Sequence, residues 1–182
     1  MNTGYTRLTT YVFNLLALVA VVSNPTLCPG SVREPGRTQD AFDLSKIDYE
    51  ITKEFLKAWN YCHNGIDNQE AVVLIFRKLD GSYFAKALGQ TNETRKFRFQ
   101  WDPAAIAIAH THPTGIDPKP SIEDVRLSAR LRVPIFTMTG SGMYMYDPGT
   151  KRTTKVQEQL DWLNPAKWTQ DFHSNQVSNM DQ

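Results

Sequence analysis

Cysteine and histidine are scarce in this chain, and neither sign of charge dominates it. Its 182 residues include two cysteines, Cys28 and Cys62, and four histidines. Two cysteines exclude a disulfide-built scaffold and an all-cysteine structural zinc site. Twenty Lys+Arg against 19 Asp+Glu leave a net charge of +1. That balance lacks the basic excess expected of a protein whose main task is to coat nucleic acid. With 41% apolar and 11% aromatic residues, the composition is not that of a disordered chain. No apolar run reaches the roughly 20 residues that span a bilayer, and there is no internal repeat.

The longest apolar run, Tyr11 to Val22, is interrupted only by Asn14. One positive charge and no acid precede it in residues 1–7, and Ser23, Asn24 and Pro25 follow at once. This is the layout of a secretory signal peptide, with Ala20 or Ser23 at the cleavage site; an uncleaved membrane anchor is the alternative. The sequence therefore predicts a leader over 1–23 and an exported chain, periplasmic or secreted, with no membrane span in its mature form. A Pro/Gly-rich linker over 24–40 follows, then one domain over 41–165 and a polar tail over 166–182. Export would permit a Cys28–Cys62 disulfide.

Within the domain, Ile47, Ile51, Phe55, Leu56 and Trp59 recur at spacings of three and four, predicting an amphipathic helix closed by Asn64-Gly65. Ala71–Phe76 reads as a buried strand and Ser82–Leu88 as its return across Asp80-Gly81. In residues 95–101, Phe97, Phe99 and Trp101 alternate with polar residues, predicting a half-buried strand. Ala104–His110 reads as a short strand, Ser121–Leu131 as a helix, and Val133–Met138 with Met143–Tyr146 as a hairpin. A short helix is expected over Val156–Leu163. The fold class predicted is α+β, with one sheet core.

The chemistry lies between Ala104 and Asp124. Alternation along a strand sets Ile106, Ile108, His110 and His112 on one face and Ala105, Ala107 and Ala109 on the other. Two imidazoles at a strand end come within reach of one ion, and histidine suits Zn²⁺. A Pro/Gly loop leads to Ser121, which begins a helix, so Asp124 returns one turn later near the same end. Two His and one Asp leave the fourth tetrahedral position to water, the pattern of a catalytic zinc site. Taken alone, Ser121-x-x-Asp124 also reads as a helix capping box.

His110-Thr111-His112-Pro113 followed by Ser121-x-x-Asp124 resembles the signature of JAMM (MPN or JAB-type) zinc metallopeptidases, and HTHPTGIDPKPSIED is similar to the loop of their RadC-like branch. The resemblance spans about residues 45–150. It implies an MPN-like fold, a mixed, curved sheet flanked by helices as in cytidine deaminases. It also implies an upstream glutamate at the start of a buried strand, matched here by Glu70. Where the family often has glycine after that glutamate, this chain has Ala71 and Val72, and its loop to Ser121 is about one residue longer. By the resemblance, His110, His112 and Asp124 hold Zn²⁺, which activates water. Glu70 is then the general acid/base, and Ser121 donates to the developing oxyanion. The implied substrate is a protein or peptide, such as a ubiquitin-like conjugate or a cell-wall peptide, with no nucleic-acid partner. The alternatives are a non-catalytic MPN-like binding module and a RadC-like DNA-associated protein.

Other chemistry-bearing residues read as ordinary. Cys62-His63 sits at a helix end, His173 in the polar tail, and Arg126, Arg130 and Arg132 on or just after a solvated helix face.

Overall fold

A computed structural model describes residues 17–21, 41–90 and 96–170; Cys28 and His173 lie outside the described residues, as does most of the leader and all of the linker. The strands are β1 (Ala17–Val21), β2 (Ala71–Arg77), β3 (Tyr83–Gln90), β4 (Lys96–Gln100), β5 (Ala105–Thr111), β6 (Ile135–Thr139), β7 (Gly142–Asp147) and β8 (Arg152–Glu158). The helices are α1 (Tyr49–Tyr61), α2 (Ile122–Leu131) and α3 (Ala166–Gln170). The class is α+β, as the element pattern predicts.

Six strands form one mixed sheet in the order β3–β2–β5–β6–β7–β8. Every neighbouring pair is antiparallel except β5 and β6, which run parallel. A parallel pair needs a crossover, and α2 supplies it. The sheet buries both faces. On one, Ile51, Phe55, Ala58 and Trp59 of α1 pack with Val73, Ile75, Ala107, Ala109, Phe136 and Met138. On the other, Leu127 of α2 packs with Val72, Leu74, Ile108 and Ile135, joined by Phe99 of β4.

Helix α1 starts at Asp48, whose carboxylate accepts from the Ile51 N–H at 3.2 Å. It ends in three consecutive left-handed residues, His63, Asn64 and Gly65 (φ 46°, 59° and 75°). The Asn64 N–H donates to Trp59 O at 2.9 Å. Replacing Gly65 would strain this turn: a Cβ would stand 2.6 Å from Cη2 of Trp59. Its carbonyl accepts from Thr114 N at 2.7 Å, which ties the end of α1 to the loop after His112.

Three expectations need correction. The segment Val156–Leu163 is not a helix: β8 runs to Glu158, and only Asp161–Leu163 turns, as a 3-10 segment. Thr153, Thr154 and Val156 favour an extended chain, and β7 offers an open edge to pair with. The strand alternation before His110 slips once. The β2–β5 ladder shifts register between Ile75 and Phe76, so Ile106 turns to the α1 face and Ala105 joins Ile108 on the α2 face. The domain also runs beyond residue 165. Ala166–Gln170 is helical, and Trp168 is fully buried with its indole N–H donating to Trp162 O at 3.2 Å. Apart from the six-stranded sheet, β1 pairs in parallel with β4, from Ala17 opposite Lys96 to Val21 opposite Gln100.

Gly65→Ala is expected to destabilise the protein by about 1–3 kcal/mol, because strain at positive φ and overpacking against Trp59 add. Denaturant titration checks this; a variant as stable as wild type contradicts the packing described here.

Candidate metal centre

Strand β5 carries His110, the first residue of the cluster, and aims it. His110 lies on the α2 face of β5 beyond Ile108, and Val72 of β2 stands opposite it. Glu70 directly precedes β2 and is near enough to His110 for its carboxylate to act on that imidazole. The His112 N–H donates to Met138 O at 3.0 Å, so the chain stays extended past Thr111 before Pro113 turns it away.

The loop between His112 and α2 is held at both ends. His112 Nδ1 lies 2.9 Å from Asp117 O. A carbonyl only accepts, so Nδ1 carries the proton and the Nε2 lone pair faces inward, the tautomer of a metal-ligating histidine. Thr137 Oγ1, from β6, donates to Pro118 O at 2.5 Å. The loop then delivers Ser121 as the N-cap of α2. Ser121 Oγ accepts from Asp124 N at 3.2 Å, while Ser121 N and Oγ both donate to Asp124 Oδ2 at 2.7 Å. That is a complete capping box. Capping and ligation are thus not competing roles: the box holds Asp124 with its carboxylate toward the histidines.

Three ligand atoms converge. His110 Nε2 is 3.0 Å from His112 Nε2, and Asp124 Oδ2 is 3.5 Å and 3.8 Å from them. A tetrahedral shell with bonds of about 2.0–2.1 Å sets its ligand atoms roughly 3.3–3.4 Å apart. The three observed edges bracket that value. Asp124 Oδ1 is buried with no hydrogen-bond partner, so part of this carboxylate's charge lacks compensation.

Charge points the same way. Glu70, His110, His112 and Asp124 are each at most 3% exposed, and no lysine or arginine is buried among the described residues. Asp124, whose partners are the two imidazoles and Ser121, relies on the imidazoles, or on a cation, for charge compensation. The proton affinities show it. Burial by itself would lower the His110 pKa, but Asp124 and, less strongly, Glu70 outweigh it, and the pKa is raised. Burial by itself would raise the Asp124 pKa, but His110 and then His112 hold it far below the usual carboxylate range. The donor set of two imidazoles and a carboxylate fits Zn²⁺ or a similar divalent metal.

Of the residues singled out in the sequence, the structure brings His110, His112, Ser121 and Asp124 together and places Glu70 alongside. His63 pairs with Asp67 on the surface, away from the cluster. Cys62 is a buried free thiol whose Sγ lies 3.1 Å from Thr111 Oγ1. Burial first, and Glu70 with it, pushes its pKa up to about 11, which leaves it neutral and a poor nucleophile. The sequence reading missed Thr111 and Thr137. Thr111 carries a signal, being the centre of His-x-His; Thr137 carries none. No helix among the described residues is long and apolar enough to cross a membrane. No known protein family, curated protein or solved structure matches the chain.

The raised His110 pKa contributes stability that is complete below its unfolded value of 6.5 and is lost as pH rises through the folded value. The lowered Asp124 pKa contributes stability that is complete above 3.8 and is lost as pH falls through the folded value. In the metal-free protein the pair therefore stabilises most between these two values. Zinc binding needs both imidazoles unprotonated, so it gains in strength with pH. From about pH 6 to 8, the margin by which metal-free wild type out-melts metal-free His110→Gln should shrink, while the melting gain on adding zinc to wild type should grow. A growing margin, or a zinc gain that is flat with pH, contradicts this account.

Proposed function

We propose that this chain is a zinc-dependent hydrolase of the JAMM type, with an MPN-like fold, that cleaves a peptide or isopeptide bond. The observation that carries the reading is the His110–His112–Asp124 triangle. Its edges match a tetrahedral shell, and it lies beside a second buried carboxylate, Glu70. In this reading the two imidazole Nε2 atoms and the Asp124 carboxylate hold Zn²⁺, which when bound supplies Lewis acidity and lowers the pKa of a coordinated water toward about 7.

The chain's own groups carry the rest. Glu70 takes a proton on its carboxylate and returns it to the leaving amine, a role that suits a buried carboxylate whose charge reaches His110. Ser121 holds Asp124 through its hydroxyl, and the same hydroxyl, turned from Oδ2, donates to a developing oxyanion. The Asp117 carbonyl fixes the His112 tautomer, and Thr137 fixes the loop that carries that carbonyl. The substrate class is a folded or extended polypeptide, with a ubiquitin-like conjugate and a cell-wall peptide as the two candidates. The proposed location is outside the cytoplasm, after removal of residues 1–23; that removal withdraws β1 from β4.

A second reading is a non-catalytic metal-bearing module. The deep burial of all four side chains favours it, as does the bulk of Ala71 and Val72, both fully buried directly after Glu70.

Glu70→Gln separates the two. On the hydrolase reading it binds zinc as wild type does and loses turnover by on the order of 10²–10⁴ against ubiquitin-linked and cell-wall peptide substrates. His110→Ala loses zinc and turnover together. A zinc-loaded wild type inert on every substrate of both classes supports the module and overturns the hydrolase, whereas full turnover in Glu70→Gln overturns the role given to Glu70.

A further inference from the structure

We infer that Thr111 is a positioning residue: its hydroxyl ties the start of β2, and with it Glu70, to the strand that carries the two histidines. The consequence for turnover rests on the hydrolase reading above, whereas the anchor itself is read independently of it.

Alternation dictates the geometry. His110 and His112 face α2, so the residue between them must face α1. There Thr111 is fully buried, and its Oγ1 accepts from Ala71 N at 2.9 Å. Ala71 is the first residue of β2 and the one directly after Glu70. It sits where the β2–β3 ladder shifts register, between Ala71 and Val73, and its N–H donates to this side chain. Cys62 Sγ, 3.1 Å from the same oxygen, completes the hydroxyl's surroundings from the end of α1. A threonine hydroxyl has one proton and two lone pairs. One lone pair takes the Ala71 N–H, and the contact with Cys62 uses the proton or the second lone pair.

Three consecutive residues therefore do two tasks on opposite faces. His110 and His112 offer nitrogens to the cation on one, and Thr111 holds the proton-transfer carboxylate's strand on the other. Valine has the same shape and cannot accept the Ala71 N–H. Loss of that bond frees the peptide that follows Glu70 without touching a metal ligand. A displacement near 1 Å at a reacting group is enough to cost about 10²-fold in rate.

The test compares full-length Thr111→Val, Thr111→Ser and Cys62→Ala with wild type, all loaded with zinc. In Thr111→Val, amide hydrogen exchange at Ala71 should quicken by about tenfold or more while exchange at Ile75 stays as it was. Zinc affinity should stay within about threefold, since all three ligands remain. On a ubiquitin-linked or cell-wall peptide substrate, kcat should fall on the order of 10²-fold with KM little changed. Thr111→Ser should restore both the protection and kcat, and Cys62→Ala should resemble wild type. Wild-type protection of Ala71 in Thr111→Val overturns the proposal, and so does a serine variant as impaired as the valine one. A Thr111→Val that does not fold is replaced by Thr111→Ala, judged against Thr111→Ser in the same way. A wild type without zinc-dependent turnover removes the hydrolase reading alone; the exchange at Ala71 then decides whether the anchor stands.

Discussion

Two carboxylates and two imidazoles share one water-excluded end of β5, and the positive charge they need governs how the surrounding chain is arranged. Asp124 Oδ1 is buried with no hydrogen-bond partner, and no lysine or arginine is buried among the described residues. The raised His110 and lowered Asp124 pKa values express the same demand as proton affinity. A buried charge that is neither paired nor ligating is too costly to keep. A divalent cation between the three ligand atoms meets the demand with the donor set already present, and in its absence a proton on His110 meets it in part.

The topology explains why these groups meet. Strand β5 has an antiparallel neighbour on one side and a parallel one on the other, and the parallel pair obliges the chain to cross over through α2. The crossover begins at the end of β5 where the histidines emerge, so the first turn of α2 returns beside them. Its N-terminus favours negative charge there, and the capping box directs Asp124 inward. The antiparallel neighbour β2 starts at the same end, with Val72 opposite His110, and Glu70 precedes it directly. Loop anchors then remove the remaining freedom: Asp117 O on His112, Thr137 on Pro118, and Gly65 O on Thr114.

The meeting of His110, His112 and Asp124 was legible because its logic is local. His-x-His needs only strand alternation, and Asp124 needs only a helix that begins at Ser121. Glu70 was reachable through its place before the apolar run Ala71–Phe76. What the sequence did not disclose depends on partners far along the chain. The Thr111–Ala71 bond joins residues 40 apart, and Thr137 reaches Pro118 across 19. The slip at Ile106 follows from a bulge in pairing with β2, not from anything in AIAIA itself. Strand β8 and the burial of Trp168 were masked by polar composition, since each is decided by the edge or cluster it packs against. The pairing of Ala17–Val21 with β4 was hidden by a pattern that reads equally well as an export signal.

The central claim is that His110, His112 and Asp124 form the metal shell, with Cys62 excluded from it. The zinc K-edge absorption spectrum of the zinc-loaded full chain tests this most directly. The account predicts one zinc per chain in a shell of nitrogen and oxygen at about 2.0–2.1 Å, with the outer-shell signature of two imidazoles and no sulfur. A sulfur scatterer near 2.3 Å, a single imidazole, or no stoichiometric zinc would contradict it.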